Sequence, residues 1–535
     1  MAKLRVPSWL HSSNGAANSN STSTSNGDEA DRKKQNRRSL SGLAQFMTKN
    51  DHPAQSPPLV EAETDATTAA PASVAAAATA STTSQMVELA RKITQETEKL
   101  DKYMRDNGLP NPGFDVDAPG DFPKLPADIQ KSRQEIVYAT MELGSLVRGP
   151  REHVRWGVWG YLDTLSLQLI NSYGIAKLVP VDAPIELAVL QTKTTLDPIN
   201  LARALRHAMT NKIFQEPSPG LIAHTAASRM LAEDSSLQDW VGFNSEDIFP
   251  SAAHSLQSLR THPDGISLVR TGFNFAFDTV DKEPMFATFG KDPVRAKRMG
   301  GAMASLTGGE GYELSHFVDN YDLSDVDAKE GTFVDVGGSH GFVCVDLGKK
   351  WRKTKFVVQD LQKTVDSAPK PLSPDEDVAQ RVTLQAHDFF TEQPVKGADV
   401  YYFRWILHNY STPYAIKIIK GLIPALKPGA RVVINDHCLR DVGAENPWDE
   451  RIIRSMDMVM LAVLNAQERT EVEFRELFKA VDERFVFKGV TRTPGCRMSV
   501  VEAVWQPESE EKTEKEVEEI KEENGVTPAE ETKHV

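Results

Sequence analysis

Thr332-Phe-Val-Asp-Val-Gly-Gly-Ser-His-Gly-Phe-Val343, with Phe356-Val-Val-Gln-Asp360 after it, reads as strand, glycine turn, helix, second strand and terminal acid. Phe333, Val334 and Val336 make a short buried strand. Gly337, Gly338 and Gly341 let the backbone turn tightly and approach a ligand closely. The helix that follows carries Val343, Val345 and Leu347 toward the sheet, and Phe356 to Val358 supply the neighbouring parallel strand. Asp360 then stands where a carboxylate accepts hydrogen bonds from two ribose hydroxyls. The whole is one βαβ unit and predicts an α/β domain with a parallel sheet.

Gly-Gly-x-x-Gly is not the G-x-G-x-x-G spacing that seats a pyrophosphate on a helix N-terminus, so a cofactor without phosphates is favoured. An acid before the turn (Asp335), the Gly337-Gly338 turn and Asp360 at the end of the second strand together suit S-adenosylmethionine, whose ribose and amino-acid moiety need acceptors. Taken alone, a glycine-rich turn after a strand is also found in unrelated α/β proteins.

The 535 residues suffice for two or three domains, but the ends differ from the middle. Residues 1–84 are dominated by Ser, Asn, Thr, Ala and Pro and cannot offset their ordering entropy; a disordered tail is expected. Its basic cluster, Arg32 to Arg38, reads first as a solvated charge run and second as an import signal. Residues 507–535 carry 11 acids against 4 lysines, a balance of −7 that is half of the net −14. The remaining mildly acidic body argues against nucleic acid and for a small or neutral substrate. Cys344, Cys438 and Cys496 are scattered, which indicates neither a disulfide framework nor a thiolate zinc site and fits a reducing compartment. No metal is expected, no apolar run is long enough to span a membrane, and no signal-peptide core opens the chain, so the expectation is a soluble cytoplasmic protein.

Helical spacing from Met86 to Asn107 marks the start of order near 85, and a Pro-rich connector leads to a second helix from Ile129 to Leu146. Residues 85–325 read as mostly helical, with few strand-like runs. Residues 326–506 alternate strand and helix: beyond the first two strands come Val382 to Leu384, Val400 to Phe403, Arg431 to Ile434, Phe485 to Val490 and Met498 to Trp505, seven in all. Long helices are expected from Tyr414 to Leu426 and from Pro447 to Leu464.

Ligands of open α/β sheets bind at the carboxyl ends of strands. Polar residues cluster there: Arg404 and His408 after the fourth strand, Asp436 and His437 after the fifth, Glu468 beyond the Met-rich helix. A histidine flanked by two carboxylates is a general base held in one tautomer. The bland readings are a helix-capping or core imidazole for His408, a turn acid for Asp436 and a helix-start acid for Glu468, near the capping box Thr470 to Glu473. His437 reads as structural. Met456 and Met460, like Phe273, Phe277 and Phe289, read as core before they read as a substrate wall.

From about residue 86 to 505 the chain resembles the plant-type and fungal S-adenosylmethionine-dependent O-methyltransferases, the group of caffeic acid O-methyltransferase and the sterigmatocystin-type enzymes. The resemblance rests on Val334-Asp-Val-Gly-Gly338 with Gly341, Gln359-Asp360-Leu361, Asp388-Phe-Phe390, Trp405-Ile-Leu-His408, Leu426-Lys-Pro-Gly429 and Glu468-Arg-Thr-Glu-Val-Glu-Phe474. It implies a helical, winged-helix-like dimerisation domain, a Rossmann-like methyltransferase domain, and a homodimer that completes the active site. Carried over, the base falls on His408, its orienting acids on Asp436 and Glu468, and cofactor-binding positions on Gly337, Asp360, Asp388 and Phe389, with Arg404 where a lysine is common. The chain departs from the pattern at Asn409 for aspartate, Ser339-His340 for smaller residues, and Asp436 for glutamate. The implied reaction is in-line methyl transfer to a hydroxyl of an aromatic or polyketide-like small molecule. A cofactor-binding but catalytically silent partner is the rival reading.

Overall fold

The computed structural model describes residues 83–507. The basic cluster and almost all of the low-complexity N-terminal stretch, with the acidic C-terminal stretch, lie outside these residues. Seven strands form the main sheet: β1 Thr332–Val336, β2 Lys355–Asp360, β3 Val382–Ala386, β4 Val400–Arg404, β5 Arg431–Asp436, β6 Phe485–Arg492 and β7 Ser499–Trp505. Their order is β3-β2-β1-β4-β5-β7-β6, with β7 antiparallel to both neighbours and the remaining pairs parallel. All seven expected strands are present.

Both faces of the sheet are covered, so its central strands are apolar on both sides. Along β4, Tyr401 and Phe403 face a core shared with Ile418, Phe474 and Phe478, while Val400 and Tyr402 face the opposite core with Val343, Leu347 and Phe356. The chain leaves β1 toward β2 and returns to β4 on its other side. This reversal opens a crevice beyond the carboxyl ends of β1 and β4.

The N-terminal helices α1 Gln85–Asp106 and α2 Ala127–Gly157 pack on each other. α2 runs past its expected end at Leu146 because Gly149 takes φ 75° and Pro150 restarts the helix, which leaves one bent element. Sequence periodicity missed a small antiparallel sheet in this part, Ile185–Glu186, Leu221–Ala223 and Gln215–Ser218. Strands of two to four residues are too short for a period of two to register. With α3 Pro198–Met209 and α4 Ala226–Glu233 they enclose Ile185, Leu201, Leu205, Ile222 and Leu231, a winged-helix-like core.

After β4, the helix expected to reach Leu426 stops earlier: α5 Thr412–Lys420 ends before Gly421, and a 3-10 turn, Ile423–Ala425, follows. α6 Pro447–Leu464 is found at its expected bounds and packs Met460, Val463 and Leu464 against Phe273 and Phe289. Those phenylalanines are core residues, as the first reading had them. No helix among the described residues is long and apolar enough to cross a membrane.

Candidate active site

β1 delivers the first half of the site. The backbone N–H groups of Gly337 and Gly338 both donate to the Gln359 carbonyl, at 2.8 and 3.0 Å, so the turn folds back over the end of β2. Glycine is required at both positions. Gly337 has φ 79°, and a Cβ there would lie 2.6 Å from Ile406 Cδ1; at Gly338 it would lie 2.4 Å from the Asp335 carboxylate. Ser339 holds φ 52° and donates its N–H to Asp360 Oδ2 at 2.9 Å, while Leu361 N–H donates to Oδ1 at 2.8 Å. Asp360 is thus fixed, with further lone pairs left for a diol.

Asp335 is buried beneath this turn. Its Oδ2 lies 3.7 Å from the Cys344 thiol. Burial pushes its carboxyl up to about 7; the Cys344 contact works against this and the Asp360 charge adds to it. Asp388 accepts the Phe390 N–H at 3.0 Å, and the Phe389 ring packs between Phe390 and Tyr410, centroids 5.2 and 5.8 Å away. Arg404 donates to Asn435 Oδ1 and, at 3.1 Å, to the Tyr312 carbonyl. His340 bonds Ser367 Oγ at 3.1 Å through Nε2.

β4 delivers the second half. Trp405 takes φ 57°, a left-handed conformation that costs a bulky residue roughly 1–2 kcal/mol. The bend swings the chain into the 3-10 turn Leu407–Asn409 and places His408 in the interior. Four side-chain bonds pin this turn by its backbone. Asn409 donates its amide to the Trp405 carbonyl at 2.7 Å, a bond that an aspartate there cannot make. Asp436 Oδ2 accepts the His408 N–H at 3.0 Å, and Arg469 donates to the Leu407 and Tyr410 carbonyls at 2.8 and 2.6 Å.

The imidazole itself is held by Glu468, whose Oε1 lies 2.8 Å from His408 Nδ1. Of the two expected acids, then, Glu468 holds the ring and Asp436 holds the main chain. Thr470 caps the next helix with Glu473, so Glu468 is free of that duty. Burial pulls the His408 pKa down, but the Glu468 charge and hydrogen bond and the Asp436 charge outweigh it and leave the imidazole above its usual value. Burial pushes Glu468 up, yet His408 and His437 draw it down to about 2. Asp436 is raised by burial against the pull of His408, and burial lowers Arg469. With Nδ1 committed to a carboxylate, Nε2 is the nitrogen left to take a proton.

A family model described as an O-methyltransferase domain matches residues 269–482. A protein named chlorophenol O-methyltransferase, from Trichoderma longibrachiatum, is 65% identical over 421 residues, which cover 79% of this chain and 90% of that one. The Grayanic acid biosynthesis cluster O-methyltransferase of Cladonia grayi is 35% identical, covering 79% and 88%. The chain belongs to the O-methyltransferase family. Among solved structures, OxaC in complex with sinefungin and meleagrin is 21% identical, with a TM-score of 0.61 and coverage of 78% of this chain and 99% of that one.

This O-methyltransferase uses S-adenosylmethionine. The residues present fit that group. The Gly337-Gly338 cradle would be filled by any Cβ, and Asp360 and Asp335 would offer acceptors for hydroxyls and an ammonium. Sequence reasoning missed three neighbours of the cluster: Arg469, buried under the His408 turn; Tyr312; and His437, whose Nδ1 lies 3.2 Å from Glu468 Oε1.

Proposed function

We propose that this enzyme methylates the hydroxyl of a phenol, chlorinated phenols among them, with His408 as general base. The observation that carries the reading is the 2.8 Å bond from His408 Nδ1 to buried Glu468, which commits one nitrogen and leaves Nε2 to take the phenolic proton. The chlorophenol O-methyltransferase at 65% identity supports the substrate class. Chlorine substituents acidify a phenol, so the base has little to do beyond accepting the proton as oxygen attacks. S-adenosylmethionine, when bound, supplies the electrophilic methyl group. Glu468 and Asp436 stabilise the imidazolium that forms, and Arg469 fixes the turn on which it forms. Asp360, Asp335, Asp388, Phe389, Arg404 and the two glycines hold the cofactor.

The dimer belongs to the same reading. Leu146, Val147, Val154, Trp156, Val158, Trp159 and Tyr161 expose large apolar groups along the end of α2 and just beyond it, a surface that a second copy would bury. On this reading 85–325 serves dimerisation and 326–506 the chemistry. The cysteines are free, which fits the reducing cytoplasm.

The test is labelled-methyl transfer to a panel of chlorophenols and hydroxylated aromatic natural products. His408→Gln is expected to cut turnover by about 100-fold or more while S-adenosylhomocysteine binding stays unchanged. Retained turnover, or equal loss of turnover and binding in a folded variant, overturns the role. Light scattering that reads a monomer overturns the dimer.

A further inference from the structure

We infer that His437 is a positioning residue that shares Glu468 with His408 and thereby sets the pH at which His408 is free to accept a proton. The inference rests on His408 being the base. His437 is fully buried, directly after β5. Its Nδ1 lies 3.2 Å from the same Glu468 oxygen that holds His408, off hydrogen-bond alignment, and that nitrogen and Glu468 Oε2 are both buried without a partner. An unpaired imidazole nitrogen 3.2 Å from a carboxylate oxygen in so dry a place is costly unless it carries a proton toward that carboxylate.

The far nitrogen decides the direction of the bond. His437 Nε2 lies 3.2 Å from the Tyr312 hydroxyl. Burial, only partly offset by Arg497, pushes that phenol up to about 12, so it keeps a proton that it can donate. Tyr312 is held in place by Arg404 on its carbonyl and by Arg497, itself paired with Asp449, over its ring. A donated Tyr312 proton makes Nε2 the acceptor and puts the His437 proton on Nδ1, aimed at Glu468. Glu468 then divides its charge between two imidazoles. The other charged groups nearby are Asp436 and Arg469 at the His408 turn and Asp457, which accepts the Glu468 N–H. They remain in each variant below.

The experiment is the pH profile of kcat/KM for methyl transfer by the full chain. An asparagine amide falls near the Nδ1 position and a glutamine amide near Nε2. His437→Gln is expected to move the acid limb up by about one pH unit, a tenfold loss on that limb, because Glu468 now holds the His408 proton alone. His437→Asn is expected to keep the wild-type limb. Equal limbs in both variants overturn the inference. If neither variant folds, the imidazole 1H–15N spectrum of the wild type decides, and a His437 ring protonated at Nε2 overturns it. Failure of the base reading looks different: His408→Gln would then keep the acid limb.

Discussion

The turn at 337–341 and the turn at 405–410 stand side by side at the ends of β1 and β4, with Ile406 against Gly337, yet they are held by different means. The first is held by backbone: two glycine N–H groups on the Gln359 carbonyl, the Ser339 N–H on Asp360, and close approaches that exclude a Cβ. The second tolerates a tryptophan at φ 57° because side chains tie down its carbonyls and N–H, Asn409 from within the turn and Asp436 and Arg469 from outside it. A surface that must accommodate a cofactor wants few side chains in the way. A base that must stay within hydrogen-bond reach of a reacting oxygen wants its rotamer and backbone over-determined.

The sharpest way to break this contrast is Arg469→Met. The substitution removes two charge-assisted bonds from the base turn and a buried cation that feels the Asp436 charge, while leaving the glycine turn untouched. Loss of one member of a buried charged set typically costs about 3–5 kcal/mol. Urea unfolding is expected to read a loss of that size, and turnover to fall at least as far as in His408→Gln. Affinity for S-adenosylhomocysteine in the folded fraction should remain close to wild type. Equal loss of affinity would show that the two turns are one mechanical unit.

Gly337→Ala attacks the other side. The alanine needs φ near 79° and meets Ile406 Cδ1 at 2.6 Å, so the turn or the Ile406 side chain must shift. Strain of about 2 kcal/mol corresponds to roughly 30-fold weaker S-adenosylhomocysteine binding by calorimetry, with a smaller effect on turnover at saturating cofactor. A loss confined to turnover would reverse the assignment of the turns.

The same difference explains what could be read in advance. The cofactor turn is a local object: strand, glycines, helix and acid follow one another within about one βαβ unit, and each residue type states its own requirement. The seven strands were legible for the same reason, as runs of buried apolar residues. The base turn is assembled from far along the chain, with Asp436 28 residues away from His408, Glu468 60 away, and Arg469 62 away from Leu407. His408, Asp436 and Glu468 were singled out because strand ends and a family resemblance pointed to them, and the fold brings the three together. Arg469 and Tyr312 were not found, and His437 was read as structural, because only the folded chain shows that Arg469 meets the Leu407 and Tyr410 carbonyls, that Tyr312 meets His437 and that His437 faces Glu468. The short strands between 185 and 223 escaped for lack of length.

A smaller effect sharpens the comparison from within the cofactor turn. Burial raises the Asp335 carboxyl to about 7 in the free protein, so it is largely protonated at pH 6 and largely ionised at pH 8. The ammonium of S-adenosylhomocysteine favours the ionised form, which lowers the carboxyl's pKa in the complex and makes binding release a proton near neutrality. Affinity should therefore rise between pH 6 and 8, by no more than about tenfold, because the ionised fraction rises no further than that. Calorimetry at pH 7 in buffers of different ionisation enthalpy should detect the proton, and Asp335→Asn should abolish both the proton and the slope. The base turn predicts no such slope in binding, since on the proposed reading His408 Nε2 faces the substrate hydroxyl and Glu468 is committed to His408 Nδ1. A slope that survives Asp335→Asn and disappears in His408→Gln would mean that the charge felt by the cofactor comes from the base turn.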